Sequence, residues 1–252
     1  MKKYLRAIQT LFPAAQDIRF SGTCNLMRLI KIPCETDFYA LNRFQPSPEQ
    51  VFIDVGANRG LTIESMLLIA PGANRIIGFE PNLLIFDKLK NNPCIRKNSR
   101  VDLYQLGLGN QQGRLPLYVP YYRKWMFDGL ASFNYEEASN WLPDRLWHFK
   151  PEKLKIKEIE CRISRLDDFN FNPYFIKIDV QGFELQVLTG GEQTLRKHYP
   201  ILLIESMNDQ IAEFLKQLDY SFFYYHKGKF LKGFGKLNTF CITKDKFATL
   251  TK

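Results

Sequence analysis

The sequence predicts an α/β fold in which a mostly parallel sheet carries helices on both of its faces. Short apolar runs rich in β-branched residues alternate with segments whose apolar residues recur at helical spacing, and this alternation is typical of parallel sheets. A glycine-rich turn joins the first such strand to the first helix of the series. The chain has 252 residues, 45% of them hydrophobic, which suffices for one domain with a substantial core.

The alternation begins with a buried strand over 51–55, which ends at Gly56. Residues 63–70 follow as a helix, because their apolar side chains recur at i, i+3, i+4 and i+7. A later helix over 83–89 is capped by Asn82. Two more helices are predicted over 182–189 and 211–218. The remaining strands are predicted, in chain order, over 75–79, 101–106, 115–119, 156–163, 174–180, 201–205, 221–225 and 237–243. We expect 115–119 to pair beside 101–106.

Turn-forming residues and changes of pattern divide the chain, one domain over residues 1–252, into three kinds of segment. Residues 1–50 form an N-terminal leader with mixed helical patterning, and residues 51–119 and 151–252 form the alternating core. Residues 120–150 break the alternation and hold all three tryptophans. This aromatic insertion is either a lid with aromatic faces that stack on a sugar or a contact with a partner subunit. The second alternative would make the protein a homo-oligomer.

Composition narrows the class of protein. There are 35 Lys and Arg against 26 Asp and Glu, a net charge of +9, but the densest basic stretch, 150–165, is interleaved with glutamates. Interleaved charge is typical of a solvated face, so nucleic acid is disfavoured as a partner. The apolar stretches are far shorter than the ~18 residues of a membrane-spanning helix. Five scattered cysteines without CxxC spacing favour reduced thiols and a cytoplasmic location.

The motif DVGANRG at 54–60 is the most informative segment. Glycines in such a turn let a ligand approach the backbone, and the following helix N-terminus offers unpaired N–H groups. A dinucleotide-binding fold would show G-x-G-x-x-G here. Asp54 instead precedes the first glycine, and its carboxylate suits a cationic or amino-bearing ligand such as the methionine part of S-adenosylmethionine. The alternative is that Asp54 only caps the turn.

Two further motifs place acidic residues where strands end. Glu80, after the second strand, can accept hydrogen bonds from both ribose hydroxyls of an adenosine ligand, or it is simply solvated. Asp179 ends a strand in the middle of the predicted sheet, where ligands collect. It can orient the donor or the acceptor hydroxyl, act as a base if burial raises its pKa, or merely cap the following helix.

Together these motifs resemble a known family. DVGANRG at 54–60, FEPN at 79–82 and IKIDVQGFELQVLTGG at 176–191 look like the FkbM-type S-adenosylmethionine-dependent methyltransferases over about residues 50–206. The resemblance implies a class I methyltransferase (Rossmann-like) fold. Its sheet has seven strands in all, mostly parallel, and the C-terminal strand is antiparallel. It implies S-adenosylmethionine as cofactor and O-methylation of a glycan, sugar or secondary metabolite. Gln181 departs from the family, which commonly carries Glu there.

The resemblance also assigns roles to individual residues. Cofactor-binding residues would be Asp54, Gly56, Asn58 and Gly60 at the methionine and ribose end, Glu80 at the ribose diol, Leu106 against the adenine, and Ser132 close to the donor. For the catalytic role we expect Asp179. Position, not the resemblance, adds His148, which lies at the end of the aromatic insertion; the alternative for it is a structural or solvated histidine.

Metal assistance would need Asp179, Glu184 and Glu205 to converge, and spacing does not establish this, so no metal is predicted. Two rival functions are weighed: a nicotinamide-dependent oxidoreductase, which Asp54 and the missing G-x-G-x-x-G disfavour, and a non-catalytic nucleic-acid-binding protein. The +9 charge suggests that the acceptor, or the surface that presents it, is anionic.

Overall fold

The computed structural model describes residues 2–70 and 72–250. Its strands are β1 (Val51–Val55), β2 (Ile76–Phe79), β3 (Val101–Tyr104), β4 (Gly107–Leu108), β5 (Gly113–Tyr122), β6 (Trp125–Met126), β7 (Leu154–Ser164), β8 (Pro173–Ile178), β9 (Ile201–Glu205), β10 (Tyr220–His226), β11 (Lys229–Lys232) and β12 (Asn238–Thr243). Its helices are α1 (Lys2–Gln9), α2 (Ala15–Ile30), α3 (Leu61–Ile69), α4 (Leu83–Lys90), α5 (Tyr135–Asn140), α6 (Glu184–Thr189), α7 (Glu192–His198), α8 (Asp209–Lys216) and α9 (Lys244–Ala248). Short 3-10 helices lie at Thr36–Arg43, Asp128–Leu130, Pro151–Lys153 and Leu166–Asp168.

The main sheet has the strand order β11-β10-β12-β9-β8-β1-β2-β3. The pairs β3–β2, β2–β1, β1–β8 and β8–β9 are parallel, and β12 pairs antiparallel with both β9 and β10. The α/β class and the antiparallel last strand are therefore as predicted. The carboxyl ends of β1, β2 and β8 meet at one edge of this sheet, which is where ligands bind in open α/β folds.

The prediction of seven strands is wrong, because the sheet has eight. The additional strand, β11, forms a hairpin with β10 in which His226 pairs with Lys229 across the two residues Lys227 and Gly228. Both turn residues have positive φ, as a two-residue hairpin turn requires. Residues 229–232 are too short and too exposed to carry a clear strand pattern.

A separate four-stranded sheet has the order β4-β7-β5-β6. The expectation that 115–119 pairs beside the third strand is wrong, because this segment lies in β5 and pairs antiparallel with β7 from Gly113 to Tyr122. All ten residues of β5 pair with β7, and the end of β5 also pairs with β6, so the segment belongs to this second sheet. The aromatic insertion therefore connects two strands of a long antiparallel ribbon.

Both faces of the main sheet are buried. One face packs Ile53, Ile178 and Ile204 against helical residues such as Val187 and Leu215. On the other face, aromatic side chains of the strands pack against α3 and the 3-10 helix at 36–43. The strand residues are Phe52, Phe175 and Phe240, and the helical residues are Ile63, Phe38 and Leu41. Helices on both faces hold the strand ends in fixed positions beside the site.

The leader and the insertion contact each other. The ring of Tyr4 packs edge-on against Trp147, Arg6 lies over the ring of Trp141, and the Gln16 side chain donates to the Met126 carbonyl. The two segments therefore lie together beside the same part of the core. None of the helices within 2–70 and 72–250 has the length and hydropathy needed to cross a bilayer.

Candidate functional site

The loop between β1 and α3 is held tightly against the two neighbouring strands. The amides of Gly56 and Ala57 both donate to the Phe79 carbonyl at the end of β2. Gly56 has φ +87°, and a Cβ on it would lie 1.9 Å from the Asp179 carbonyl oxygen, so only glycine fits there. Gly60 also has positive φ, but it packs against Ile95 and does not line the site cavities.

Glu80 braces this loop from the end of β2. Its carboxylate accepts a hydrogen bond from the Asn58 amide and another from the Asn82 amide, each at 2.8 Å. Burial raises the pKa of Glu80 to about 7, although the two amide donors oppose that rise. Each oxygen keeps a second lone pair, so the carboxylate can still accept hydrogen bonds from a ligand's hydroxyl groups.

Two adjoining cavities open at the carboxyl edge of the sheet. The smaller, about 80 Å³, is lined by residues that include Asn58, Glu80, Phe133 and Gln181. The larger, about 540 Å³, lies within the size range of sites for small molecules. The residues common to both walls are Gly56, Asn58, Asp128, Gly129 and Asp179. The predicted residues Gly56, Asn58, Glu80 and Asp179 are thus brought together.

Asp179 lies at the junction of the two cavities, just after β8. Its Oδ1 accepts from the Gln181 amide at 2.8 Å, and its Oδ2 lies 3.6 Å from the Lys177 Nζ. Burial alone would raise the pKa of Asp179, but the Lys177 ammonium and hydrogen bonds from Glu205 and Gln181 outweigh it and lower that pKa. An ionised carboxylate of low basicity is a hydrogen-bond acceptor for orienting a ligand and a poor general base.

Sequence reasoning did not single out Lys177, the second-to-last residue of β8. It is buried, and its Nζ makes no hydrogen bond with any of the described residues. Burial would lower the pKa of its ammonium group, but carboxyl groups around it raise that pKa. These carboxyl groups, which with Lys177 we call the acidic cluster, belong to Asp179, Glu205, Glu35 and Asp54. A charged residue inside an apolar run that ends at a ligand edge was the available signal.

Within the acidic cluster, the pKa values of Asp179 and Glu205 are shifted in opposite directions. Burial and the neighbouring Asp179 carboxylate raise the pKa of Glu205 to about 8, so at neutral pH Glu205 is protonated and donates to Asp179. Gln181 adds a second donor to Asp179 where the family pattern places another carboxylate. Both neighbours therefore stabilise the negative charge of Asp179.

Asp54 lies behind the cavity walls in the same cluster. Its carboxyl group is fully buried, and neither oxygen has a hydrogen-bond partner. Burial raises the pKa of Asp54 to about 8, with Asp179 and Glu80 adding to the rise. Buried polar groups ordinarily have partners, and none of the described residues donates to this carboxyl group. Asp54 lines neither cavity, so a cationic ligand in the adjoining cavities would act on it through its charge, by favouring the ionised form.

The structure does not bring the other predicted residues into either cavity. Leu106 packs against the core, and the Ser132 hydroxyl donates to the Gln181 carbonyl at 2.6 Å, which ties the insertion to the β8–α6 loop. His148 is exposed and contacts the ring of Trp147. Glu184 accepts from the amides of Val180 and Gly182 and does not join Asp179 and Glu205. Among the described residues, no group of three His, Cys, Asp or Glu side chains is arranged to hold a metal ion.

The leader and the insertion complete the larger cavity. From the leader come Arg6, Gln9, Gln16, Arg19, Phe20 and Thr23, and from the insertion come Trp125, Phe127 and Trp141. Arg59, in the loop after β1, binds both segments: its guanidinium donates to Asp17 on α2 and to Asp128 in the insertion. Sequence reasoning did not single out Arg59, although it lies inside the DVGANRG motif.

The family of the chain follows from a comparison with known domains. A model of the methyltransferase FkbM domain matches residues 54–222, about two thirds of the chain. The chain belongs to the FkbM methyltransferase family. The matched range includes the β1–α3 loop, Glu80, the insertion and the acidic cluster residues on β8 and β9. The first 53 residues, with α1 and α2, lie outside this FkbM domain.

Solved structures give the fold. Methyltransferase FkbM from Methylobacillus flagellatus KT matches with a TM-score of 0.51 and 18% identity, covering 82% of this chain and 48% of its own. This chain therefore spans about half the length of that protein. A precorrin-6y C5,15-methyltransferase from Geobacter metallireducens GS-15 aligns at a TM-score of only 0.38, with 14% identity over 81% of this chain and 83% of its own. No protein with a curated description matches the sequence.

Proposed function

We propose that this FkbM-family protein binds S-adenosylmethionine at the carboxyl edge of the main sheet and methylates a hydroxyl group of a glycan or secondary metabolite. The observation that carries the proposal is the concentration of carboxyl groups around the two cavities. Asp54, Asp179, Glu205 and Glu35 surround the buried ammonium group of Lys177, and Glu80 lies in the wall of the smaller cavity. The negative charge of Asp179 in both cavity walls, with Glu80 beside it, suits a cationic ligand with a ribose better than a pyrophosphate, which also argues against a nicotinamide dinucleotide.

The residues present fit this cofactor in two respects. Glu80 has lone pairs free to accept from the two ribose hydroxyls while it holds the Asn58 and Asn82 amides. Asp179 lies in the walls of both cavities with its negative charge stabilised, and it would hold the amino and sulfonium end. Asp54, buried behind it, would add to the attraction for a positive charge by ionising. When bound, S-adenosylmethionine supplies an electrophilic methyl group on a positively charged sulfur.

The protein contributes orientation and a fixed electrostatic environment. Asp179, ionised and held by Gln181 and Glu205, accepts a hydrogen bond from the acceptor hydroxyl at the junction of the two cavities. Its lowered pKa makes it a positioning group, and correct placement of two reactants can itself account for a large part of a rate enhancement. Lys177 keeps the Asp179 carboxylate ionised and fixes where it lies.

The walls of the larger cavity support an acceptor with a ring. Phe20, Trp125 and Phe127 offer aromatic faces, and Gln9 and Arg19 offer polar groups beside them. Aromatic faces with adjacent hydrogen-bonding groups suit a sugar or a cyclic metabolite. Because the leader and the insertion supply these residues, they are the segments that choose the acceptor.

The first test is calorimetric binding of S-adenosylhomocysteine, which needs no knowledge of the acceptor. We expect the wild type to bind it and Glu80→Gln to bind about 10–100-fold more weakly, because hydrogen bonds to a charged group contribute about 1.5–3 kcal/mol. The matched control is Glu213→Gln, at an exposed position on α8. Binding of NADH without binding of S-adenosylhomocysteine would overturn the proposal.

The acceptor chemistry is tested separately with S-adenosylmethionine carrying a ¹³C-labelled methyl group. The protein is incubated with a panel of hydroxylated glycans and cyclic metabolites, and the carbon chemical shift of the product identifies the atom that received the methyl group. We expect a methyl ether. A methyl group found only on nitrogen or carbon contradicts O-methylation while leaving cofactor binding intact.

A further inference from the structure

The two leader helices expose an unusual amount of apolar surface. Ten of the nineteen exposed large apolar side chains in the described part of the chain lie between residues 4 and 32. Together we call them the outward face: Tyr4, Leu5, Ile8, Leu11, Phe12, Ile18, Leu26, Leu29, Ile30 and Ile32. Single exposed apolar residues are ordinary, but a concentration of this kind marks an interaction surface.

The helical geometry shows that this exposure is organised. On α2, Cys24 and Met27 are buried against the core, whereas Leu29 is 82% exposed and Ile18 75% exposed. At 100° per residue, Ile18, Leu26 and Leu29 fall within about 80° of one another and point away from the buried pair. A surface helix normally carries polar side chains on that side. On α1, Tyr4, Leu5 and Ile8 form a similar exposed stripe.

The charge of the same segment has one sign. Residues 1–32 contain six basic residues and one acidic residue, Asp17, so they carry +5 of the net charge of +9 in about an eighth of the chain. Asp17 is itself paired with Arg59 and Lys88, and among the basic residues Arg28 is paired with Glu64. Lys3 and Lys31 are exposed within this segment, close in sequence to Leu5 and Leu29. The outward face is therefore both apolar and cationic.

We infer that the outward face binds a lipid bilayer surface that contains anionic lipids. Helices with an exposed apolar side and basic residues beside it lie in the interface of a bilayer, where apolar burial and attraction to anionic head groups act together. A second copy of the chain fits less well. A twofold interface would place the same cationic segment against itself, and juxtaposed like charges oppose association.

Membrane attachment would also place the larger cavity at the lipid surface. Arg6 and Arg19, on the same two helices, line that cavity. If the proposed methyl transfer is correct, the acceptor then reaches the site from the bilayer surface. This last step rests on the proposed function, whereas the binding of the outward face to lipid does not.

The test is co-sedimentation of the full chain with vesicles of phosphatidylcholine alone and of phosphatidylcholine and phosphatidylglycerol in equal parts. We expect binding to the anionic vesicles that weakens as salt is raised. The double variant Ile18→Ser and Leu29→Ser should lower the partition coefficient at least tenfold, and neither residue lines a cavity. The control Leu237→Ser removes another exposed apolar residue, 48% exposed, outside the outward face and should bind as the wild type does.

The inference is overturned if the wild-type protein stays in the supernatant with anionic vesicles, or if the double variant binds them as well as the wild type does. It is also overturned if sedimentation velocity shows a dimer that only the double variant abolishes. Calorimetry with S-adenosylhomocysteine separates this outcome from failure of the proposed function. We expect the double variant to bind that ligand within about twofold of the wild type, since the altered residues lie outside the site.

Discussion

Replacement of Lys177 by methionine tests the acidic cluster most severely. The variant keeps the volume of the side chain and removes the one buried ammonium group among the surrounding carboxyl groups. Two unit charges 3.6 Å apart attract by about 4–5 kcal/mol at an effective dielectric constant of about 20. Because about a third of the Asp179 side chain is exposed, solvent screening reduces this figure, and we expect a loss of about 2–3 kcal/mol.

The loss should depend on pH in a definite direction. In the wild type the pKa of Asp179 is lowered, because Lys177 and two hydrogen bonds outweigh burial, so its contribution to stability is present at neutral pH and is lost in acid. In Lys177→Met burial dominates and raises the pKa of Asp179. Acid then protonates the Asp179 carboxyl group and removes the free-energy cost of its buried, unpaired charge. The difference between wild type and variant is therefore largest near pH 8 and small near pH 5.

Urea unfolding of both proteins at pH 5 and pH 8 measures this difference as a change in the free energy of unfolding. Lys216→Met, at an exposed position on α8, is the matched control and should change stability by less than about 0.5 kcal/mol at either pH. A Lys177→Met variant as stable as the wild type at pH 8, or equally destabilised at both pH values, would refute the assignment of charge in the cluster.

Three further substitutions probe other parts of the site. Gly56→Ala should abolish binding of S-adenosylhomocysteine or destabilise the fold, because its Cβ would lie 1.9 Å from the Asp179 carbonyl oxygen. The control is Gly228→Ala, since Gly228 also has positive φ but a Cβ there would meet open space. Normal binding by Gly56→Ala contradicts the geometry. Arg59→Ala should lower stability by about 2 kcal/mol and make the leader sensitive to limited proteolysis, because Asp17 and Asp128 lose their shared partner; an unchanged digestion pattern contradicts this. His148→Ala should bind S-adenosylhomocysteine within about twofold of the wild type in calorimetry. A tenfold loss would show that His148 belongs to the binding site.

The core of the fold could be predicted because its pattern is local. Each buried parallel strand, such as β1 or β8, is a short apolar run, and each helix shows its periodicity within two or three turns. The partner of β5 could not be predicted in this way, because the pairing with β7 joins residues about 40 positions apart. The strand β11 was missed because its four residues are mostly exposed and show no buried pattern.

Sequence patterns point to cavity residues where a motif and a strand end coincide. They do not reveal residues whose burial depends on distant segments. Glu80 and Asp179 follow strands, so topology alone brings them to one edge. Lys177 looks like any charged residue until Glu35, from the leader, and Glu205, from β9, are placed around it. The pKa of Asp179 likewise depends on partners from other elements, so its role as a poor base could not be read from its position.

The most direct test of the central claim is a crystal structure of the protein with S-adenosylhomocysteine. We predict that both ribose hydroxyls lie within hydrogen-bonding distance of the Glu80 carboxylate and that the amino-acid end lies beside Asp179. Ligand density elsewhere, or a ribose that does not contact Glu80, would contradict the account of this acidic edge as the methyl-donor site.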